Sequence, residues 1–215
     1  MGQRLVISVF ENSVSYPDKP IAKVYYHWSA YTASAFTEAK ELLDTYYLDE
    51  DISKISDIRV RLLRSVEKHG GGITGGLEGD EIKRIKKAEQ LCVPISLANC
   101  ECNNISRNNG LIAFTEAGME DLQEYSEGDL DLILGSDIDD ATVINYVYSH
   151  YDNFDEVKEF NDDLEETEVH EIPFDLDKEF SYSELEDVIN FLNNSNGYIF
   201  KRRGDYFEII AWYKS

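Results

Sequence analysis

No apolar run in the 215 residues approaches the roughly 20 residues that a membrane-crossing helix needs, so a transmembrane span is not expected. Cysteine is scarce and odd in number, three in all. An odd count suits a reducing compartment better than a disulfide framework. The opening Met-Gly-Gln-Arg-Leu-Val-Ile-Ser-Val-Phe lacks the long apolar segment and small-residue cleavage site of a secretory signal. Position 6 is Val where a myristoylation signal has Ser or Thr. These absences lead to the expectation of a soluble, cytoplasmic protein. The most informative shortage is of Lys and Arg, and it is confined to one half of the chain.

Residues 1–110 hold 15 Asp or Glu against 14 Lys or Arg, whereas residues 111–215 hold 28 against 6. Within Glu116–Asp187 there are 26 acids and only two bases, Lys158 and Lys178. Self-repulsion on this scale opposes compaction. A DNA duplex carries one charge per roughly 1.7 Å of axis, so that surplus corresponds to about 40 Å of duplex. Such a surface suits a site built for nucleic acid, or it serves solubility alone. The charge argues against direct binding to nucleic acid or to anionic membrane, and it favours a basic protein partner. The acidic half is not a disordered tail, because it contains Tyr146, Tyr148, Tyr151, Phe154, Phe160, Phe174, Phe180 and Tyr182.

Periodicity predicts an α+β fold of antiparallel β-hairpins packed with helices. Strands are expected at Arg4–Glu11 and Ile21–Trp28, joined by the turn-rich Asn12–Pro20. A helix follows from Thr32 or Ser34 to about Tyr47, with Phe36, Ala39, Leu42, Leu43 and Tyr46 inward. Ser53 is expected to open a second helix that ends at His69-Gly70, followed by a glycine-rich loop over Gly70–Gly79. A third helix is expected at Asp80–Leu91, and an irregular stretch at Cys92–Asn109. Gly110–Thr115 reads as a strand, Thr115–Tyr125 as helix or turn, and Asp129–Leu134 with Ala141–Tyr148 as a hairpin. In Tyr151–Glu171, Phe154, Val157, Phe160 and Leu164 fall on one helical face and the carboxylates on the rest. Ser181 with Glu184 predicts a capping box for a helix to Asn194, and Tyr198–Arg202 with Tyr206–Tyr213 a closing hairpin. The organisation is a near-neutral part, 1–110, and a strongly acidic part, 111–215, in one continuous domain or two.

Several motifs invite chemistry. Gly70–Gly75 contains G-x-G-x-x-G, but it follows a helix and not a strand, so a loop with a helix cap is preferred to a phosphate cradle. Cys92, Cys100 and Cys102, with His69 across the third helix, are the candidate metal ligands, and structural zinc is the metal they suit. Their spacing departs from the usual paired pattern, and ordinary reduced cysteines are the preferred reading, so no cofactor is expected. Asp137-Ile138-Asp139-Asp140 lacks the glycine and closing glutamate of a calcium loop and reads as a solvated turn. His27, in Tyr25-Tyr26-His27-Trp28 with Ser29 and Thr32 near, is the best-placed candidate for catalysis. No nucleophile elbow or metal-protease pattern accompanies it, so a histidine packed on aromatics is preferred and no enzyme is expected. Lys201-Arg202-Arg203 is the one basic cluster of the acidic half and is read as neutralising neighbouring carboxylates.

The segment Tyr25-Tyr26-His27-Trp28-Ser29-Ala30-Tyr31-Thr32, with Gly110-Leu111-Ile112-Ala113-Phe114 and Ser126-Glu127-Gly128-Asp129-Leu130, resembles a group of small acidic proteins from phages of Gram-positive bacteria. The likeness covers scattered patches of residues 1–150. In size and charge the chain also resembles phage anti-restriction and anti-CRISPR inhibitors, by class and not by descent. The expected function is therefore a non-enzymatic anti-defence inhibitor. It would bind a basic nucleic-acid-handling host protein, foremost a type II CRISPR effector nuclease. The expected partner-binding carboxylates are Asp137, Asp139, Asp140, Asp152, Asp155, Glu156, Glu159, Asp162, Asp163, Glu165 and Glu166. The alternative is a phage accessory or structural interaction protein whose acidity serves solubility.

Overall fold

The structure, a computed structural model, describes residues 4–30, 32–73, 110–124, 126–148, 168–172, 179–194, 197–203 and 206–213. The fold class is α+β. Strands β1 (Leu5–Phe10), β2 (Ala22–Tyr26), β3 (Gly72–Ile73), β4 (Leu111–Ala113), β5 (Gly128–Ile133), β6 (Thr142–Tyr148) and β8 (Phe180–Ser181) form one sheet in the order β3-β4-β2-β1-β5-β6-β8. The sheet is mixed, because β1 runs parallel to β5 and β3 parallel to β4. This departs from the all-antiparallel expectation. β1, β2 and β5 nonetheless join residues from both sides of the charge boundary in one sheet.

β1 sits in the middle, and all six of its residues are buried. Leu-Val-Ile-Ser-Val-Phe is a nearly continuous apolar run, as expected for a strand covered on both faces. On the main face, Leu5, Ile7 and Val9 meet Val24, Ile112, Leu130, Leu132 and Val143 in one core. Helices α1 (Thr32–Leu48), α2 (Ile58–Lys68) and α4 (Tyr182–Asn194) close that core with Phe36, Leu43, Leu62, Leu185 and Leu192. The alanines Ala35 and Ala39 of α1 are fully buried and let the helix approach closely. The opposite face carries Val6, Tyr25, Leu111 and Ala113, covered by Leu122 and Met119 of α3 (Glu116–Glu124). A separate three-stranded antiparallel sheet runs β7 (Glu168–Ile172), β10 (Tyr206–Tyr213), β9 (Gly197–Arg203). Its register sets Lys201 opposite Glu208.

Two local expectations are corrected. Ser53 does not open α2; it lies in a single 3-10 turn, Ile52–Lys54, after which Ile55 is extended. Asp57 is the cap, its Oδ1 accepting from the N–H groups of Arg59 at 3.0 Å and Val60 at 3.1 Å. A carboxylate that satisfies two open donors outcompetes a serine that would satisfy one. The glycine-rich loop expected over Gly70–Gly79 is corrected at its start, because Gly72 and Ile73 pair with Leu111 and Ile112; Thr74–Gly79 lie outside the described residues. The helix end before it is as read: Gly70 has φ 82°, its N–H donates to Glu67 O, and Gly71 N–H donates to Val66 O. That double bond pattern is a Schellman stop. A Cβ at Gly71 would lie 2.1 Å from Gly110 O and 2.5 Å from Val66 Cγ1, so close packing of helix end on strand accounts for this glycine. The expected third helix, Asp80–Leu91, and the irregular Cys92–Asn109 stretch lie outside the described residues.

Candidate protein-interaction surface

Of the expected partner-binding carboxylates, the described residues include Asp137, Asp139 and Asp140, on the turn between β5 and β6. All three are exposed. The turn is held from within: Asp137 Oδ1 accepts the N–H of Asp139 at 3.0 Å and of Asp140 at 3.2 Å, and Ser136 Oγ donates to Asp140 at 2.6 Å. Tyr47 of α1 fixes its base by donating to Gly135 O at 2.7 Å. A Cβ on Gly135 would fall 2.3 Å from Asp140 Cβ, so the turn closes only with glycine there. Asp152, Asp155, Glu156, Glu159, Asp162, Asp163, Glu165 and Glu166 lie outside the described residues. The expected Tyr151–Glu171 helix is corrected at its end, because Glu168–Ile172 is strand β7. Cross-strand pairing with β10 claims that backbone, and a helical pattern drawn from side-chain spacing cannot register such pairing.

The carboxylates near the β5–β6 turn are joined by others from separate segments. Burial chiefly raises the Tyr46 phenol, with Glu11 and Asp57 adding to the rise against Arg61. Burial also raises Tyr47, helped by Tyr46 and Asp137. Arg61 is occupied at this end: its Nε donates to Tyr46 O at 2.6 Å and its guanidinium stacks 3.9 Å from the Tyr46 ring. Asp49 is engaged by Lys68. Beyond this turn, α3 exposes Glu116, Glu120, Asp121 and Glu124, and the β8–α4 region exposes Glu179, Glu186 and Asp187. Glu127, at the start of the acidic half, pairs with Arg4 at 2.7 Å. The α3 carboxylates were not among the expected site residues. Their signal was the Glu116, Glu120, Glu124 spacing of four, which lines one face of a helix.

A second polar group lies on the sheet face under α3. Lys23 Nζ donates to Gln123 Oε1 at 2.5 Å. Gln123 Nε2 donates to Asp129 Oδ1 at 2.7 Å, and Ser126 Oγ donates to the same oxygen at 2.8 Å. Burial lowers the Lys23 pKa against the pull of Asp129, Asp131 and Glu120. Tyr16 is raised by burial first and then by Asp131, which accepts its hydroxyl. Sequence reading missed this group because its members are far apart along the chain.

His27 shares a 2.7 Å hydrogen bond, through Nδ1, with the Tyr25 hydroxyl, and its ring meets Trp28 edge to face at 4.7 Å. Burial lowers its pKa, Arg4 lowers it further, and Glu127 opposes both. Ser29 donates to Glu38 at 2.7 Å. The partners of His27 are thus aromatic, and Ser29 is turned to a carboxylate. His69 is exposed, ends α2, and shares a 2.7 Å bond through Nε2 with Thr45 Oγ1. Cys92, Cys100 and Cys102 lie outside the described residues. Among the described residues, no three His, Cys, Asp or Glu side chains converge as a metal-holding group. No helix among them is long and apolar enough to cross a membrane. No protein family, curated protein or solved structure matches the chain.

Proposed function

We propose that the chain is a phage-encoded, non-enzymatic anti-defence inhibitor of the anti-CRISPR kind. It would bind a basic nucleic-acid-handling host protein, a type II CRISPR effector nuclease foremost, and set carboxylates against the Lys and Arg that otherwise hold phosphates. One observation carries the reading. The acidic half displays most of its described carboxylates outward, on α3, the β5–β6 turn and the β8–α4 region, in a stretch of sequence almost without basic residues. A protein that needed charge for folding would pair it internally, and one that needed only solubility would not require such an excess of one sign.

Purified type II effector, loaded with its guide, provides the test. The wild-type protein is expected to bind it, to compete with target DNA, and to lose affinity as salt rises through the range where the Debye length falls below about 8 Å. A variant carrying Asp137→Asn, Asp139→Asn, Asp140→Asn and Lys at Asp155, Glu156, Glu159 and Asp162 is expected to lose binding while its circular dichroism is unchanged. Equal, salt-insensitive binding by both proteins would overturn the mimic and leave the acidity as a solubilising surface.

A further inference from the structure

We infer that the outer edge of β9, Gly197–Arg203, is a pairing surface for a second copy of this chain, taken antiparallel about a two-fold axis at Phe200 so that the two three-stranded sheets become one. The pairing uses none of the carboxylates proposed to meet a basic partner, and it stands or falls apart from that reading.

β9 is the end strand of its sheet. Among the described residues it pairs with β10 on one side and with no strand on the other. Such an edge offers a row of N–H and C=O groups to another chain, and proteins commonly guard it with proline, a bulge or a very short strand. β9 has none of these guards. Gly-Tyr-Ile-Phe-Lys-Arg-Arg runs for seven residues without proline, and it pairs with β10 from end to end with no shift of register. Its guard is charge alone, and that charge stands at one end. Lys201, Arg202 and Arg203 are three of the six Lys and Arg of residues 111–215. In a chain of net charge −23, two copies meet with least repulsion where the local charge is positive.

Those three cations leave the strand one way to meet itself. Parallel pairing in register would set each cation beside its own copy. Antiparallel pairing exchanges hydrogen bonds only where outward-pointing residues face each other, and these alternate along a strand. The two-fold axis therefore passes through a residue and not between two. An axis at Lys201 or Arg202 opposes like charges directly, which is unfavourable. An axis at Ile199 leaves Arg202 and Arg203 beyond the overlap. An axis at Phe200 overlaps the whole strand. Arg203 then falls opposite Gly197 of the second copy, Arg202 opposite Tyr198, Lys201 opposite Ile199, and Phe200 opposite Phe200. An aromatic pair at the axis is a favourable cross-strand combination. The nearest like charges, the two Lys201, are diagonal at about 7–8 Å, and each already stands opposite Glu208 in its own hairpin. The charge at one end thus acts as a register key, and the symmetry closes at two copies.

Sedimentation equilibrium of the full chain, with no other protein present, tests the pairing. A reversible dimer of the 24.7 kDa chain is expected. It should tighten as NaCl rises from about 0.05 to 0.5 M, because the copies carry the same net charge and screening relieves their repulsion. Gly197→Glu sets a carboxylate opposite Arg203 at both ends and should tighten the dimer. Gly197→Lys sets like against like and should loosen it, the two dissociation constants differing about tenfold. Both variants lose the same glycine at the same position, so their difference reads the register and not the fold. Arg203→Glu added to Gly197→Lys should restore the dimer. A single-chain mass at the highest concentration reached, or equal constants for the two Gly197 variants, would overturn the pairing. So would a mass that climbs past two copies, as β7 of one copy on β9 of the next would give in an open chain.

Discussion

Glu184 reaches back to the N–H of Ser181 at 3.1 Å and accepts the Ser181 hydroxyl at 3.0 Å, so one side chain secures the start of α4. Glu184→Ala is expected to destabilise the protein by about 1 kcal/mol, read from the urea midpoint, and an unmoved midpoint would show that packing alone holds this helix end. Asp49 gives a pH signature. Its pKa is lowered from the usual 3.8 to about 2, by the Lys68 hydrogen bond first and then by the N–H groups of Ile52 and Asp51. A carboxyl depressed in the folded state binds its proton more readily when unfolded. Its contribution is therefore complete above the unfolded value and lost as pH falls toward 2. Wild type should be more stable than Asp49→Asn at neutral pH, and the two should converge near pH 2. A constant gap across that window would trace the difference to packing and not to the proton. The capping box was legible because it is written within four residues. The Asp57 cap was equally local, but Ser53 and Asp57 compete as starts, and only the extended Ile55 between them decides.

Among the elements, α3 is the most exposed to challenge. It is nine residues long, too short to persist alone in water, and it stays helical because it is docked. Thr115 caps it, accepting from Gly118 N–H at 2.9 Å, while Leu122 and Met119 bury against Val6, Tyr25, Leu111 and Ala113. Leu122→Ala is expected to cost about 2–3 kcal/mol and to raise hydrogen exchange in residues 116–124 ahead of the rest. Uniform loss of protection would instead place α3 within the main cooperative unit. At the far edge, Gly71→Ala should separate the end of α2 from the β3–β4 pair, since the added methyl meets backbone at 2.1 Å. A melting temperature equal to wild type would remove the close-approach account. Helix α1 was readable by its spacing, and every inward residue so assigned is buried: Phe36, Ala39, Leu42, Leu43 and Tyr46. β1 was readable as a strand but not as the central one. A short apolar run looks much the same at the edge of a sheet as between two neighbours, and its parallel partner β5 begins more than a hundred residues later.

For the whole molecule, a net charge of −23 sets the balance between stability and salt. Most described carboxylates of the acidic half face solvent, so self-repulsion is expected to outweigh ion pairing. The melting temperature should rise as NaCl goes from about 0.01 to 1 M, because screening shortens the reach of each charge from roughly 30 to 3 Å. A flat or falling trend would mean that internal pairs outweigh repulsion. The same salt that firms the fold should loosen the proposed complex, and this opposition of signs separates folding from recognition in one buffer series.

The amino-acid order alone determined the α+β class, the face that α1 buries, the stop at Gly70 and the confinement of charge to one half. Each of these is a sum over the chain or a pattern within a few turns, and such quantities need no knowledge of what lies across space. Tertiary structure alone decided the mixed sheet, the burial of β1 on both faces, the close seat of Gly71 on Gly110, and the meeting of Ser8, Lys23 and Asp131. Those residues stand on three strands drawn from distant stretches of chain. Their neighbourhood is a matter of register, and register is set by the burial of the whole sheet between its helices, not by any local run of residues.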